Sequence, residues 1–182
     1  MKYIRMTAAA RLQSYSDGKA GWPLLRDTAN HPTASTLTGL VACCLGIANK
    51  TDEYRELGEK LRYLTTIPDN VTILDDYQIV SPKETGKLTS ESDLLNLNGK
   101  KKTNGSGKVQ IRNRYIQDAK FHVLIGCEDV DFLRNIHYHM RHPVWPYYLG
   151  KACCTPSEPL VGLDFRAEDL DVWQNEEEYV CI

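Results

Sequence analysis

The sequence predicts an α+β fold in a single domain. Three observations predict it. Short apolar segments of period two alternate with amphipathic helical segments, in the order strand, helix, strand, strand, helix, strand. The chain has 182 residues, the size of one domain, with 42% hydrophobic and 25% charged residues, enough to build a core. A long basic stretch interrupts the pattern between the second and third strands.

Lys2 to Thr7 reads as the first strand. Ala8 to Arg26 reads as a loop in which Arg11, Gln13, Tyr15, Lys19, Trp22 and Arg26 interleave rings, amides and cations. Such a mixture suits single-stranded RNA, where rings stack bases and cations meet phosphates. It suits equally a surface loop with Trp22 tucked into the core. The next segment, STLTGLVACCLGIAN, places Leu37, Leu40, Val41, Cys44, Leu45 and Ala48 at helical spacing. Pro32 keeps the residue before it out of the helix, and Thr33 or Ser35 is expected to cap the first turn. Asp52 to Leu64 reads as a second, surface helix with Tyr54, Leu57, Leu61 and Leu64 on one face. Pro68-Asp69-Asn70 is a turn, and Val71 to Val80 is a strand.

The arm follows. Lys83 to Tyr115 carries eight basic residues against three acidic ones, a net charge of +5 in a chain whose total is −2. Its centre, GKKKTNGSGK, is a turn-rich cationic tip, and it lacks the G-x-x-x-x-G-K-[ST] spacing of a phosphate loop. On the returning strand Gln110, Arg112 and Arg114 share one face, because side chains alternate with period two. This concentration of charge in an otherwise acidic chain points to a polyanionic partner.

After the arm, Asp118 to Gly126 reads as a strand with Phe121, Val123 and Ile125 facing inward, and Glu128 to Arg141 as a helix stopped by Pro143. Pro143 to Leu160, PVWPYYLGKACCTPSEPL, is expected to be an ordered, aromatic-rich loop, and Leu160 to Leu163 a last core strand. Thr155 to Ile182 holds eight acids and one arginine and reads as a peripheral strand or tail. The order is the βαββαβ pattern of an RRM-like (ferredoxin-like) domain with a protruding basic β-hairpin arm inserted between the second and third strands. The domain spans 1–163, with 83–114 as the inserted arm, and 164–182 forms a short acidic C-terminal segment. The aromatic motifs by which RRM sheets bind RNA are absent, so the arm and loops carry the binding.

Six cysteines, with no C-x-x-C, read as reduced structural thiols, and no metal site or cofactor is expected. In HYHMRH, positions i and i+2 fall on different faces of a helix, so His137, His139 and His142 read as helix-end or protein contacts. No apolar run approaches the ~20 residues of a membrane helix, and the N-terminus lacks the apolar centre of a secretory signal. A cytoplasmic protein is expected, with no membrane partner.

Three segments carry a resemblance to a known family. RLQSYSD with Arg26 and Thr28, then PTASTLTGLVACCLGI, then PVWPYYLGKACCTPSEPL resemble, in order and spacing, CRISPR-associated protein family five. Within it the chain looks like the CasD-type subunit of type I-E Cascade, over most of its first ~165 residues. The late loop is the most specific of the three motifs. RNRYIQDAKFHVLIG is similar to the family's strand after the thumb. The chain departs from the pattern at Tyr15, Ser16, Ala34 and Thr36, where Trp, Gly, a basic residue and Gly are usual; Lys151 keeps the basic character of the YLG-basic motif.

The resemblance implies a non-catalytic subunit that holds the 5′ handle of the crRNA. Its partners would be a CasC-type backbone subunit and a CasA-type large subunit, and target DNA indirectly. The residues that fit RNA binding are Arg11, Gln13, Tyr15, Arg26, Lys100, Lys101, Lys102, Lys108, Arg112, Arg114, Tyr115 and Lys151. The alternative is a repeat-RNA endoribonuclease of the type I-C kind, with His122, Lys120 or Tyr115 as base and acid.

Overall fold

The structure, a computed structural model, describes residues 1–16, 25–68, 70–80 and 109–182. Its organising element is one 19-residue strand, β5 (Val109–Cys127). Along one edge β1 (Lys2–Gln13) pairs with it antiparallel, from Lys2 opposite Cys127 to Gln13 opposite Ile116. The two-residue β2 (Leu25–Arg26) continues that edge in parallel, opposite Arg112 and Asn113. Along the other edge lie β3 (Arg62–Thr65), opposite Gly126 to Val123, and β4 (Thr72–Val80), opposite Gln117 to Val109. The short β6 (Val180–Cys181) pairs with β3. The central order β1-β5-β3 is that of a ferredoxin-like, RRM-like sheet.

α1 (Ala34–Leu45) and α3 (Val130–Arg141) cover one face. Alternation puts Ile4, Met6 and Ala8 of β1 and Phe121, Val123 and Ile125 of β5 against them, and Leu37, Val41, Cys44, Leu133, Ile136 and Met140 complete this core. Asp129 caps α3, accepting from the Phe132 amide at 3.0 Å. α1 ends at Gly46 in the left-handed conformation (φ 78). Its Thr33 holds the N-cap backbone position, but its hydroxyl donates to the Ser16 carbonyl at 3.2 Å and does not cap an amide of α1.

Several expected boundaries move. β1 runs to Gln13, so Ala8–Gln13 is strand and not loop. The second helix, α2, is Asp52–Lys60, and the residues after Leu61 form β3. The strands expected on either side of Gln117 are one strand. Asp118 sits in it with φ 51, and the inward positions change phase there, from Phe121, Val123 and Ile125 to Ile116. Leu160–Leu163 is not a strand. It lies along the outer edge of β1, where Thr7 N–H donates to Leu160 O and Ser157 N–H to Ala9 O, but Pro156 and Pro159 lack the amides a ladder needs.

The acidic C-terminal residues close the other face of the sheet. α4 (Leu170–Gln174) seats Trp173, 2% exposed, on Tyr3, Leu64, Leu124 and Tyr179. Its indole N–H donates to Tyr3 O at 3.1 Å, and Arg5 and Arg166 stand over its ring at 5.0 and 4.4 Å. The carboxylates pair with cations of that face: Asp169 with Lys2, Glu176 with Arg5 and Arg166. The face an RRM offers to RNA is therefore filled here by the chain's own residues.

Candidate nucleic-acid interface

β4 and β5 leave the body together as an antiparallel ribbon, from Thr72 opposite Gln117 out to Val80 opposite Val109. This is the stem of the expected arm. Lys100, Lys101, Lys102 and Lys108 lie outside the described residues, as do Lys19 and Trp22. The candidate interface is built at the root of the ribbon, where β2 and the late loop meet β5.

The late loop is fastened to the end of β1. Ser14 N–H donates to Leu149 O at 3.0 Å, and Leu149 and Cys154 close a turn through Leu149 N–H to Cys154 O and Cys154 N–H to Lys151 O, both 2.8 Å. Gly150 makes this approach possible. Its φ is 103, and a Cβ there would fall 1.6 Å from the Ser14 carbonyl oxygen. The turn lays the Lys151 ammonium 4.4 Å over the Tyr115 ring and 3.1 Å from Asn113 Oδ1. Tyr115 is buried beneath it, its hydroxyl 3.7 Å from the Cys153 thiol, and burial pushes that phenol up to about 12. Burial, then the Arg26 cation, hold Lys151 below the usual lysine range. Arg26 is exposed and stands opposite Asn113 in the β2–β5 pairing.

The other side of the ribbon is self-neutralised. Arg112 makes a two-toothed contact with Asp75, Nε at 2.7 Å and Nη2 at 2.5 Å. Arg114 lies 3.4 Å from Asp27 and 3.6 Å from Asp75. The Arg112 hydrogen bond holds Asp75 below the usual carboxylate range. Arg112 and Arg114 share a face as expected, but their charges are balanced within the chain, so an incoming phosphate must compete with two carboxylates. Asp27, Asp75 and Asn113 carried no signal as single residues; only the strand register brings them beside the arginines and Lys151.

Two expected contacts are corrected. Gln13 is 0% and Tyr15 1% exposed, because the strand continues past Ala8 and carries them into the core. Gln13 donates to Ala119 O at 2.6 Å and accepts from the Tyr15 hydroxyl, whose ring packs edge-on against Phe121. Neither has a free surface for a base. Arg11 is exposed on β1 beside the Asp118 irregularity. The residues considered for cleavage do not converge. Lys120 pairs with Glu158 at 2.8 Å, His122 Nδ1 meets Glu177 at 2.5 Å, and Tyr115 lies under Lys151. Of the three histidines of HYHMRH, His137 packs on Phe165, while His139 and His142 both meet Tyr138, the first edge-on and the second stacked.

A ferredoxin-like sheet with a paired stem and a basic root defines an RRM-like class of fold, and comparison with known families names the family. The family model described as "CRISPR-associated protein (Cas_Cas5)", of the Cas5d group, matches residues 24–178. The chain belongs to the Cas5 family. The Cas5d group is the type I-C branch, so the type I-E assignment expected from the motifs is not supplied by this match. Two solved structures share the fold. One is titled "CRISPR RNA-guided surveillance complex", with TM-score 0.66, 23% identity, and coverage of 87% of this chain and 61% of that one. The other is titled "Crystal structure of Cas protein", with TM-score 0.56, 22% identity, and coverage of 89% and 63%. This chain thus spans less than two thirds of either. No curated protein matches. Among the described residues no helix is long and apolar enough to cross a membrane.

Proposed function

We propose that this chain is the subunit of a CRISPR surveillance complex that grips the 5′ handle of the crRNA without cutting it, and that it works beside a CasC-type backbone subunit and a CasA-type large subunit in the cytoplasm. The observation that carries this reading is the root of the ribbon in a Cas5-family fold. There Lys151 and Arg26 lie close together, and burial holds Lys151 against its charged state. A bound phosphate would relieve both. The basic tip, Lys100, Lys101, Lys102 and Lys108, would extend the grip along the RNA backbone, with Arg11 at its margin. Arg112 and Arg114 would join only by exchanging Asp75 and Asp27 for phosphates.

The motif resemblance supports a type I-E subunit, and the Cas5d match supports a type I-C one. Incubation with a repeat RNA separates them. Intact RNA is the expected outcome, since Tyr115, Lys120 and His122 are each engaged elsewhere. Site-specific cleavage lost in His122→Ala would replace this reading with the endoribonuclease.

The grip itself is tested by titrating a labelled single-stranded RNA of repeat-derived 5′ sequence across a series of salt concentrations. Each phosphate contact contributes about −0.7 to the slope of log affinity against log salt. Replacing Lys100, Lys101 and Lys102 with alanine is expected to flatten the slope by roughly 2. An unchanged slope would remove the tip from the RNA footprint.

Lys151 gives a pH signature. Its pKa in the free protein lies below the ordinary 10.5, and a phosphate beside it would raise that value. Binding then takes up a proton wherever free Lys151 has begun to lose one. Affinity is therefore expected to hold steady through neutral pH and fall on the alkaline side, as pH passes the depressed pKa. Lys151→Arg, which stays charged, should remove the fall. A fall that survives in Lys151→Arg would place the titrating group elsewhere.

A further inference from the structure

The segment that delivers Lys151 carries a surface of its own. It retraces α1 from end to start. Val144 N–H donates to Cys44 O at 3.0 Å, and the Cys43 thiol to Pro146 O at 3.2 Å, both at the C-terminal end of α1. Leu149 O accepts from Ser14 N–H, close to where Thr33 at the N-terminal end of α1 reaches Ser16. Bonds to its backbone thus hold the segment in place; Tyr147 packs on the core, and two other rings stay exposed. Trp145 is 43% and Tyr148 40% exposed. In the last turn of α3, Tyr138, 57% exposed, stacks on His142 at 4.6 Å with the planes 28° apart. In chain order these rings lead to Lys151.

Along the chain, the residues that carry the rings bring charges of one sign. Residues 132–157 contain no aspartate or glutamate, in a chain that has 24, while Arg134, Arg141 and Lys151 lie among them. A protein partner of ordinary surface would give no reason to exclude acids over this length. A polyanion with flat, unpaired bases gives both reasons at once, since acids repel its backbone and rings stack its bases.

We propose that Trp145 and Tyr148, with the Tyr138–His142 pair behind them, form an aromatic track on which unpaired RNA bases stack as the strand leaves Lys151. The track rests on the RNA reading of the ribbon root, and it adds to that reading a contact with bases, where the root meets phosphates. Stacking tolerates any base, so the track grips without reading sequence.

The test uses two probes of equal length, a single-stranded RNA with repeat-derived 5′ sequence and an abasic ribose-phosphate oligomer. Trp145→Ala and Tyr148→Ala are each expected to weaken binding of the base-bearing RNA about tenfold and to leave the salt slope unchanged. Neither should change binding of the abasic oligomer. Trp145→Phe, which keeps a stacking ring, should restore most of the affinity and serves as the control for folding. If the alanine variants bind base-bearing RNA as tightly as the parent, the track is wrong and the phosphate grip stands. If the parent binds neither probe, the RNA reading of the root falls, and the track with it. If the variants keep their RNA affinity but lose a protein subunit of the complex, the rings are a protein interface and the proposal is overturned.

Discussion

Trp173→Ala is expected to lower the melting temperature by roughly 6–20 °C, a large effect for a residue outside the main core. The indole is almost wholly enclosed, donates a hydrogen bond to Tyr3, and has two arginines, Arg5 and Arg166, over its ring. Removing a buried tryptophan costs about 3–5 kcal/mol through lost burial and the cavity left behind. In a chain of this size each kcal/mol shifts the midpoint by roughly 2–4 °C. The consequence is more than local. With Trp173 gone, the half-buried Leu170 is the one apolar side chain of α4 left on that cluster among the described residues, and the carboxylates of Asp169 and Glu176 depend on surface ion pairs worth little by themselves. Tyr3, Leu64 and Leu124 would then meet water. Thermal unfolding followed by circular dichroism measures the effect. A shift of under about 3 °C would mean that the C-terminal residues do not contribute to the fold.

Gly150→Ala is expected to cost about 2–4 kcal/mol, and to weaken RNA binding as much as Lys151→Ala does. Two penalties coincide. A residue with a Cβ is strained at φ 103, by about 1–3 kcal/mol. The Cβ would also overlap the Ser14 carbonyl oxygen, a backbone atom of a segment held on both sides. Relief requires the turn to lift off β1, and Lys151 rides on that turn, so the ammonium leaves Tyr115 and Asn113. The two variants differ in a measurable way. Lys151→Ala should bind poorly with a near-native melting temperature, while Gly150→Ala should lose both. Native stability with native binding in Gly150→Ala would show that the turn does not set the position of Lys151.

The elements legible in the sequence were those whose apolar spacing had one interpretation. α1 and α3 carry four or more core residues at helical spacing, and β4 alternates between turn signals, so each was found within a few residues. β3 was missed because Leu57, Leu61 and Leu64 also fit a helical stripe. The backbone leaves the helix at Leu61, and the pairing of Tyr63 and Leu64 with β5 overrides the local pattern. The extension of β1 was hidden by three consecutive alanines, which give no period. Without it, Gln13 and Tyr15 looked like exposed binding groups. Trp173 and Tyr179 were masked by the acids around them, although Leu170 and Trp173 stand one turn apart. Of the candidate site, the basic tip and Lys151 were legible as residue types. The balance of Arg112 and Arg114 by Asp75 and Asp27 was not, because it depends on pairings between segments 37 and 87 residues apart in sequence.

β5 has one further consequence. At about 3.4 Å per residue its 19 residues extend roughly 60 Å, from the start of α3 to the far end of the stem. Nearly all of that length is paired on at least one side, and residues 112–113, 116–117 and 123–126 on both, to β1 and β2 on one side and to β3 and β4 on the other. It behaves as a cantilever with its fixed end in the hydrophobic core. A sideways pull on the stem is met by the whole sheet, and the one joint along the beam is at Asp118, where the backbone turns left-handed.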